Sequence, residues 1–344
     1  KHISAVVMDF LDYDGDEIYF LPVNKLIGKS FKQAMLLLSE VTLIGIKEKN
    51  GKVILNPDKE YIILKDDLLV VIAEDDDVDI ALNEYLIVDK KLNELKISLD
   101  TELEKDRLSI CILGWSKLGQ QIIERTIPFL SEDSEIHFAY NEKLVHKAPK
   151  LSNQYKINHN TTILNHEQNK DIEKILINNI FDVILIVGYD DVTSQEVSDT
   201  NSLLLNFYVR SILDRQKNNK PTRIIIQLND GTKEELIPKN KYNELIVSDT
   251  LSALMISQLA DNPKLWTVFE ELFSFKGLKI NMSTIFKYLD TIDIKSIKVI
   301  DLILLALEKN QIFIGYILQD KLHLNPPKSK EIIIDLSLEI VHIS

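Results

Sequence analysis

Between Leu108 and Val247, apolar runs of four to seven residues alternate with stretches of helical character. No other feature restricts the choice of fold as much. The runs fall at 108–113, 135–140, 161–165, 182–187, 223–228 and 244–247, with helices expected at 118–127, 171–179 and 200–215. The runs are continuously apolar rather than alternating, so both faces of each strand must be buried. Strands of that kind, separated by helices, form a parallel sheet covered on both sides. Six in this rhythm predict an α/β domain over 107–248, with a Rossmann-like, doubly wound parallel sheet.

The flanking segments read differently. Residues 1–78 predict a small α+β lobe with strands at 3–10, 17–22, 41–48, 52–55 and 68–73 and a helix at 30–38. Asn50-Gly51 between two extended runs is a hairpin signal, because both residues accept positive φ. After the sheet, helices are expected at 249–260 and 263–275, with a second small α+β lobe over 276–344. The second lobe repeats the first: 36–74 parallels 304–344, with Gly45 matching Gly315, Asn56-Pro57 matching Asn325-Pro326, and closing strand 68–73 matching 337–343. The Gly-to-Pro spacings differ by one residue, which a hairpin tip absorbs. The segment Glu74–Asp106 carries twelve carboxylates against four lysines, a local −8 out of a formal net charge of −13, and 79–106 reads as an acidic linker.

Composition excludes several classes. With 45% hydrophobic and 27% charged residues, 344 residues suffice for two or three globular domains. Val183–Val187 and Ile224–Ile226 are far shorter than the roughly 20 apolar residues that span a bilayer. Cys111, the single cysteine, lies in an apolar run and reads as a small core residue in a reducing compartment. The acidic balance argues against a nucleic-acid partner, which needs clustered Lys and Arg. A first residue that is not Met, with extended structure expected at once, predicts a piece of a longer protein.

Three sets of residues could carry function. The first βα turn, Gly114-Trp115-Ser116-Lys117-Leu118-Gly119, stands where a dinucleotide fingerprint would be, with Asn141 and Glu142 where a ribose-binding acid would end the next strand. Ser116 replaces the middle glycine and obstructs close phosphate approach, so the turn serves either NAD or an adenine nucleotide, or only helix–strand packing. Gly188-Tyr189-Asp190-Asp191, with Glu196 and Asp199, lies at the carboxyl edge of the sheet. These carboxylates could hold calcium, a hard cation that takes oxygen ligands; the alternative is helix capping by Ser198 or Asp199 with solvated loop charges. Leu251, Leu254, Met255, Leu259, Trp266, Phe269 and Phe273 recur at helical spacing and exceed what one lobe should need to cover, which points to a subunit interface. Asp12, Asp14 and Asp16 around Gly15 read as a hairpin tip rather than a calcium loop. The seven histidines have no zinc spacing and no nucleophile elbow appears, so no enzyme is expected.

Several stretches carry a family resemblance. Gly28–Phe31 (GKSF), Thr42–Ile46 (TLIGI), Leu64–Asp77 (LKDDLLVVIAEDDD), Ile112–Trp115 (ILGW), Ser134–Glu142, Phe181–Val187, Ser198–Ile212 and Val247–Gly277 resemble, in type and order, the RCK (regulator of potassium conductance) region of the CASTOR/POLLUX ion channels. The resemblance implies a C-lobe of a first RCK domain over 1–78, and a second RCK domain made of a Rossmann-like N-lobe (107–248), crossover helices (249–275) and a C-lobe (276–344). It further implies a ligand-sensing gating module on the cytoplasmic face of a membrane, itself soluble. Such a module assembles with copies of itself as a dimer or tetrameric ring and biases a cation-channel pore that lies outside this chain. The rival readings are a separate RCK-type subunit of a potassium transporter and a degenerate NAD-dependent oxidoreductase.

Overall fold

The computed structural model describes residues 3–13, 15–75, 107–151, 156–165, 168–190, 194–216, 222–237, 243–273, 277–289 and 295–344. They fall into two compact units, one within Leu103–Ala253 and the other built from the described parts of His2–Glu102 and Leu254–Ser344. The acidic linker read at 79–106 lies outside the described residues.

The first lobe runs α1 (Ile3–Leu11), β1 (Glu17–Pro22), α2 (Phe31–Leu37), β2 (Thr42–Lys47), β3 (Val53–Leu55) and β4 (Leu68–Ala73). The expected first strand is a helix. Val6, Phe10 and Leu11 are buried at helical spacing, so the apolar stripe outweighs the β preference of the branched residues around it. Helix α2 starts in a capping box: Ser30 Oγ accepts from Gln33 N–H at 3.3 Å while Gln33 Oε1 accepts from Ser30 N–H at 2.9 Å. The antiparallel sheet has order β1-β4-β2-β3.

The second segment supplies β5 (Ser109–Leu113), α3 (Lys117–Thr126), β6 (Glu135–Tyr140), β7 (Asn158–Ile163), α4 (Gln168–Asn178), β8 (Val183–Ile186), α5 (Gln195–Gln216), β9 (Arg223–Leu228), β10 (Asn243–Val247) and α6 (Ser248–Asp261). Its six strands form an all-parallel sheet of order β10-β9-β8-β5-β6-β7, the doubly wound arrangement in which the strand order reverses beside β5. Alternate residues of β5 serve opposite faces. Cys111 and Leu113 pack with Ile172, Leu176, Leu203 and Val209 of α4 and α5, while Ile110 and Ile112 pack with Ile123 of α3 and Phe138. Strand β7 starts three residues earlier than expected and is largely exposed. As an edge strand it needs no continuous apolar run.

The third segment is α7 (Leu265–Phe273), β11 (Ile280–Thr284), β12 (Ser296–Lys298), α8 (Val299–Glu308), β13 (Ile312–Leu318), β14 (Lys321–Leu324), β15 (Glu331–Ile333) and β16 (Glu339–Ile343). Its main sheet, β11-β16-β13-β14, has the same topology as that of the first lobe. Both sheets carry a register shift before the matched glycine, between Leu43 and Gly45 and between Phe313 and Gly315. At each glycine a Cβ would sit 2.6 or 2.4 Å from a carbonyl oxygen of the neighbouring strand, so the two glycines are matched because the bulged hairpin leaves no room.

The two lobes pair within one unit. Helix α7 packs on β3, and α1 packs on β11 and β14. Asn56 Nδ2 donates to Asn310 O at 2.7 Å, and its repeat counterpart Asn325 donates to Glu40 O at 3.1 Å, a reciprocal exchange between the chain segments that follow α8 and α2. Both asparagines hold positive φ, 45° and 40°. Asn325 also donates to Asp16 Oδ1 at 3.1 Å and accepts from Thr42 Oγ1 at 2.8 Å. Lys328 is buried, and its ammonium group donates to the carbonyls of Met35 and Leu38 at the C-terminal end of α2, where the helix dipole favours a cation.

Candidate functional site

The carboxyl edge of the parallel sheet is where a doubly wound fold binds ligands. Gly114 ends β5 with φ +86°, and a Cβ there would lie 2.1 Å from Val187 O, so only glycine fits between the two strand ends. Trp115 is 2% exposed and turns into the core. Its ring meets Phe138 edge-on at 5.3 Å between centroids and lies against Gly119, where a Cβ would approach to 3.1 Å. Gly119 is therefore needed for a tryptophan rather than for a phosphate. Ser116 is the N-cap of α3, its hydroxyl accepting from Gly119 N–H at 3.3 Å.

The remaining positions are tied to one another. Asp190, just past β8, accepts from Lys117 N–H at 3.0 Å and 3.2 Å through its two oxygens. Tyr189 is half-buried, and its hydroxyl accepts from Asn141 N–H at 3.1 Å; desolvation raises its phenol pKa. Asn141 caps the following 3-10 turn by accepting from Lys143 N–H at 3.0 Å, and Glu142 is exposed.

Asp199 lies inside α5 and is fully used. One oxygen accepts from Asn229 N–H and Nδ2 at 2.9 Å each, and the other from Asp230 N–H at 2.9 Å. Neither Asp199 nor Ser198 caps α5: that helix begins earlier than expected, and Ser194 Oγ accepts from Val197 N–H at 3.3 Å. Glu196 is exposed, and Asp191 lies outside the described residues. Asp190 and Asp199 thus face different backbone donors and are not brought together, and among the described residues no group of three His, Cys, Asp or Glu side chains could hold a metal ion.

The apolar positions on α6 and α7 divide. Leu251, Leu254, Met255 and Leu259 are half-buried, while Ile256 at 67%, Trp266 at 55% and Phe273 at 40% are exposed. Phe269 is 2% exposed and shares the buried stripe of α7 with Leu265 and Leu272, so it belongs to the core and not to a surface. Ile256 was not among the positions expected from the sequence, although it adjoins Leu254 and Met255 and is the most exposed of the large apolar residues on α6 and α7.

Comparison with known proteins bears on this arrangement. A family model described as "Castor and Pollux, part of voltage-gated ion channel" matches residues 1–89. The chain is 24% identical over 375 residues to "Probable ion channel POLLUX" of Oryza sativa subsp. japonica, an alignment covering 96% of this chain and 37% of that protein. It is 24% identical over 366 residues to "Ion channel CASTOR" of Lotus japonicus, covering 94% and 42%. The chain thus resembles the CASTOR/POLLUX ion channels over nearly its whole length. The chain spans about two fifths of the length of the curated relatives it matches. Its fold is that of the "Structure of the human SLO3 gating ring", with a TM-score of 0.61 at 14% identity, covering 98% of this chain and 68% of the other. Among the described residues no helix is long and apolar enough to cross a membrane.

Proposed function

We propose that the chain is a ligand-responsive gating module of a cation channel, acting on the cytoplasmic face of a membrane as part of an oligomeric ring. The clasped pair of lobes and the Rossmann-like unit, in a chain alignable to channel proteins over nearly its whole length, support the reading. Such a module works by binding a ligand more tightly in one shape of the ring than in another, which supplies a coupling free energy to a pore. The exposed or half-buried apolar side chains of α6 and α7, Met255, Ile256, Leu259 and Trp266, form the surface on which copies would meet. Calcium is the ligand to titrate, since much of the formal net charge of −13 lies in the acidic sequence stretch Glu74–Asp106 and a hard cation takes oxygen ligands.

The test is light scattering of the purified chain, with and without calcium. Dimers or larger rings, reduced to monomers by Ile256→Asp, support the reading. A wild-type chain that stays monomeric at high concentration would sink it.

A further inference from the structure

A doubly wound sheet of this strand order implies a dinucleotide at the switch point, and the residues here do not fit one. Lys117 N–H, at the first helical position of α3, points at the carboxylate of Asp190, at 3.0 and 3.2 Å. Gly119 N–H is held by Ser116 Oγ at 3.3 Å. A phosphate arriving at α3 would meet donors already used and a negative charge in its place. Next to it, Tyr189 reaches from the end of β8 to Asn141 N–H at the end of β6, passing Gly114 with a ring carbon 3.8 Å from where a Cβ would stand. On the other side, Gly188 N–H donates to Gln227 Oε1 at 3.4 Å, and Gln227 Nε2 donates to Asn229 Oδ1 and Ser248 Oγ at 3.2 Å each.

We propose that Tyr189 and Asp190 form a strap that is the crevice's own occupant, the carboxylate standing where a phosphate would and the phenol closing the path between β8 and β6. The strap holds the Rossmann-like unit in its closed form with no nucleotide, so a signal through this unit does not pass through the switch point. The physics is that of any anion on a helix N-terminus. Because Asp190 is tethered, it acts at an effective concentration that a free nucleotide must exceed while also overcoming charge repulsion.

The experiment uses the full chain, with ADP and NADH as probes. Calorimetry of the wild type is expected to show no saturable heat with either at millimolar concentration. Residue-resolved hydrogen exchange then reads the two ends of the strap. Asp190→Ala is expected to speed exchange at Lys117 N–H by about tenfold, the loss of one charge-assisted bond, with Asn141 N–H little changed. Tyr189→Phe is expected to do the reverse. Should Asp190→Ala fail to fold, Asp190→Asn keeps the shape without the charge and must still speed exchange at Lys117. Wild-type binding of ADP or NADH with protection of 114–119 would overturn the strap, as would wild-type exchange at Lys117 in both Asp190 variants.

Discussion

The reciprocal asparagines offer the sharpest test of how the lobes are held. Asn325 makes three side-chain hydrogen bonds across the pair, to Asp16, Glu40 and Thr42, whereas Asn56 makes one, to Asn310 O. At roughly 0.5–1.5 kcal/mol per bond, the two extra bonds make Asn325→Ala more damaging than Asn56→Ala by about 1–3 kcal/mol. Both substitutions also force alanine into positive φ, adding about 1–2 kcal/mol to each and cancelling in the difference. Asn325→Gly separates the two terms, because glycine tolerates the backbone but makes none of the bonds. The chain has two tryptophans, Trp115 in the Rossmann-like unit and Trp266 in the lobe pair. A Trp115→Phe background therefore lets urea unfolding, followed by fluorescence, report the lobe pair alone. Equal shifts for Asn325→Ala and Asn56→Ala, or an Asn325→Gly variant as stable as its parent, would refute the clasp as drawn.

Three further outcomes are expected. Gly114→Ala should lower the unfolding free energy of the Rossmann-like unit by about 2–4 kcal/mol, since it combines positive φ with a Cβ driven into Val187 O; Trp115 fluorescence in a Trp266→Phe background reads it, and a neutral result would mean the β5–β8 contact is looser than described. Burial lowers the pKa of Lys328 from 10.5 to about 7, so between those values the unfolded chain holds a proton that the folded chain has released. Stability of the lobe pair should therefore rise with pH from about 7 toward 10.5, the cost being complete below pH 7, and urea midpoints for Lys328→Met should lack that rise. Cys111 is wholly buried and its thiol pKa is raised by burial, so a disulfide-exchange reagent should modify it only as the protein unfolds; fast modification of the native chain would contradict the core placement.

The parallel sheet was legible because burial on both faces writes its strands as unbroken apolar runs, and only β7, an exposed edge, fell out of register. Helix α1 was misread since Ile3, Val6 and Val7 favour strands locally, while the stripe that decides the matter, Val6 with Phe10 and Leu11, acts only against a partner surface. The repeat was legible in Gly45 with Gly315 and in Asn56 with Asn325, residues whose backbones admit few alternatives. What those asparagines bond to was not, because Glu40 O and Asn310 O are backbone carbonyls, which every residue has. The strap was hidden for a related reason: Asp190 was one acid among several, and its choice of Lys117 N–H over a metal is set by where β8 ends relative to α3.

Placing a Rossmann-like unit between the halves of a lobe pair looks costly and is not. Thr42 and Asn325 bond across 283 residues of chain. Removing the Leu103–Ala253 segment would roughly halve that separation, and on the loop-closure law each halving is worth only about 0.6 kcal/mol. That is no more than a weak hydrogen bond, and Asn325 alone supplies three. The insertion is thus thermodynamically cheap as long as the clasp is intact, which places the selective weight on a few polar residues at the lobe junction rather than on the length or composition of what lies between. The kinetic side runs the other way. Contacts within the βαβ units are local, whereas every bond of the clasp is distant in sequence, so the lobe pair is the part of this chain whose formation has to wait.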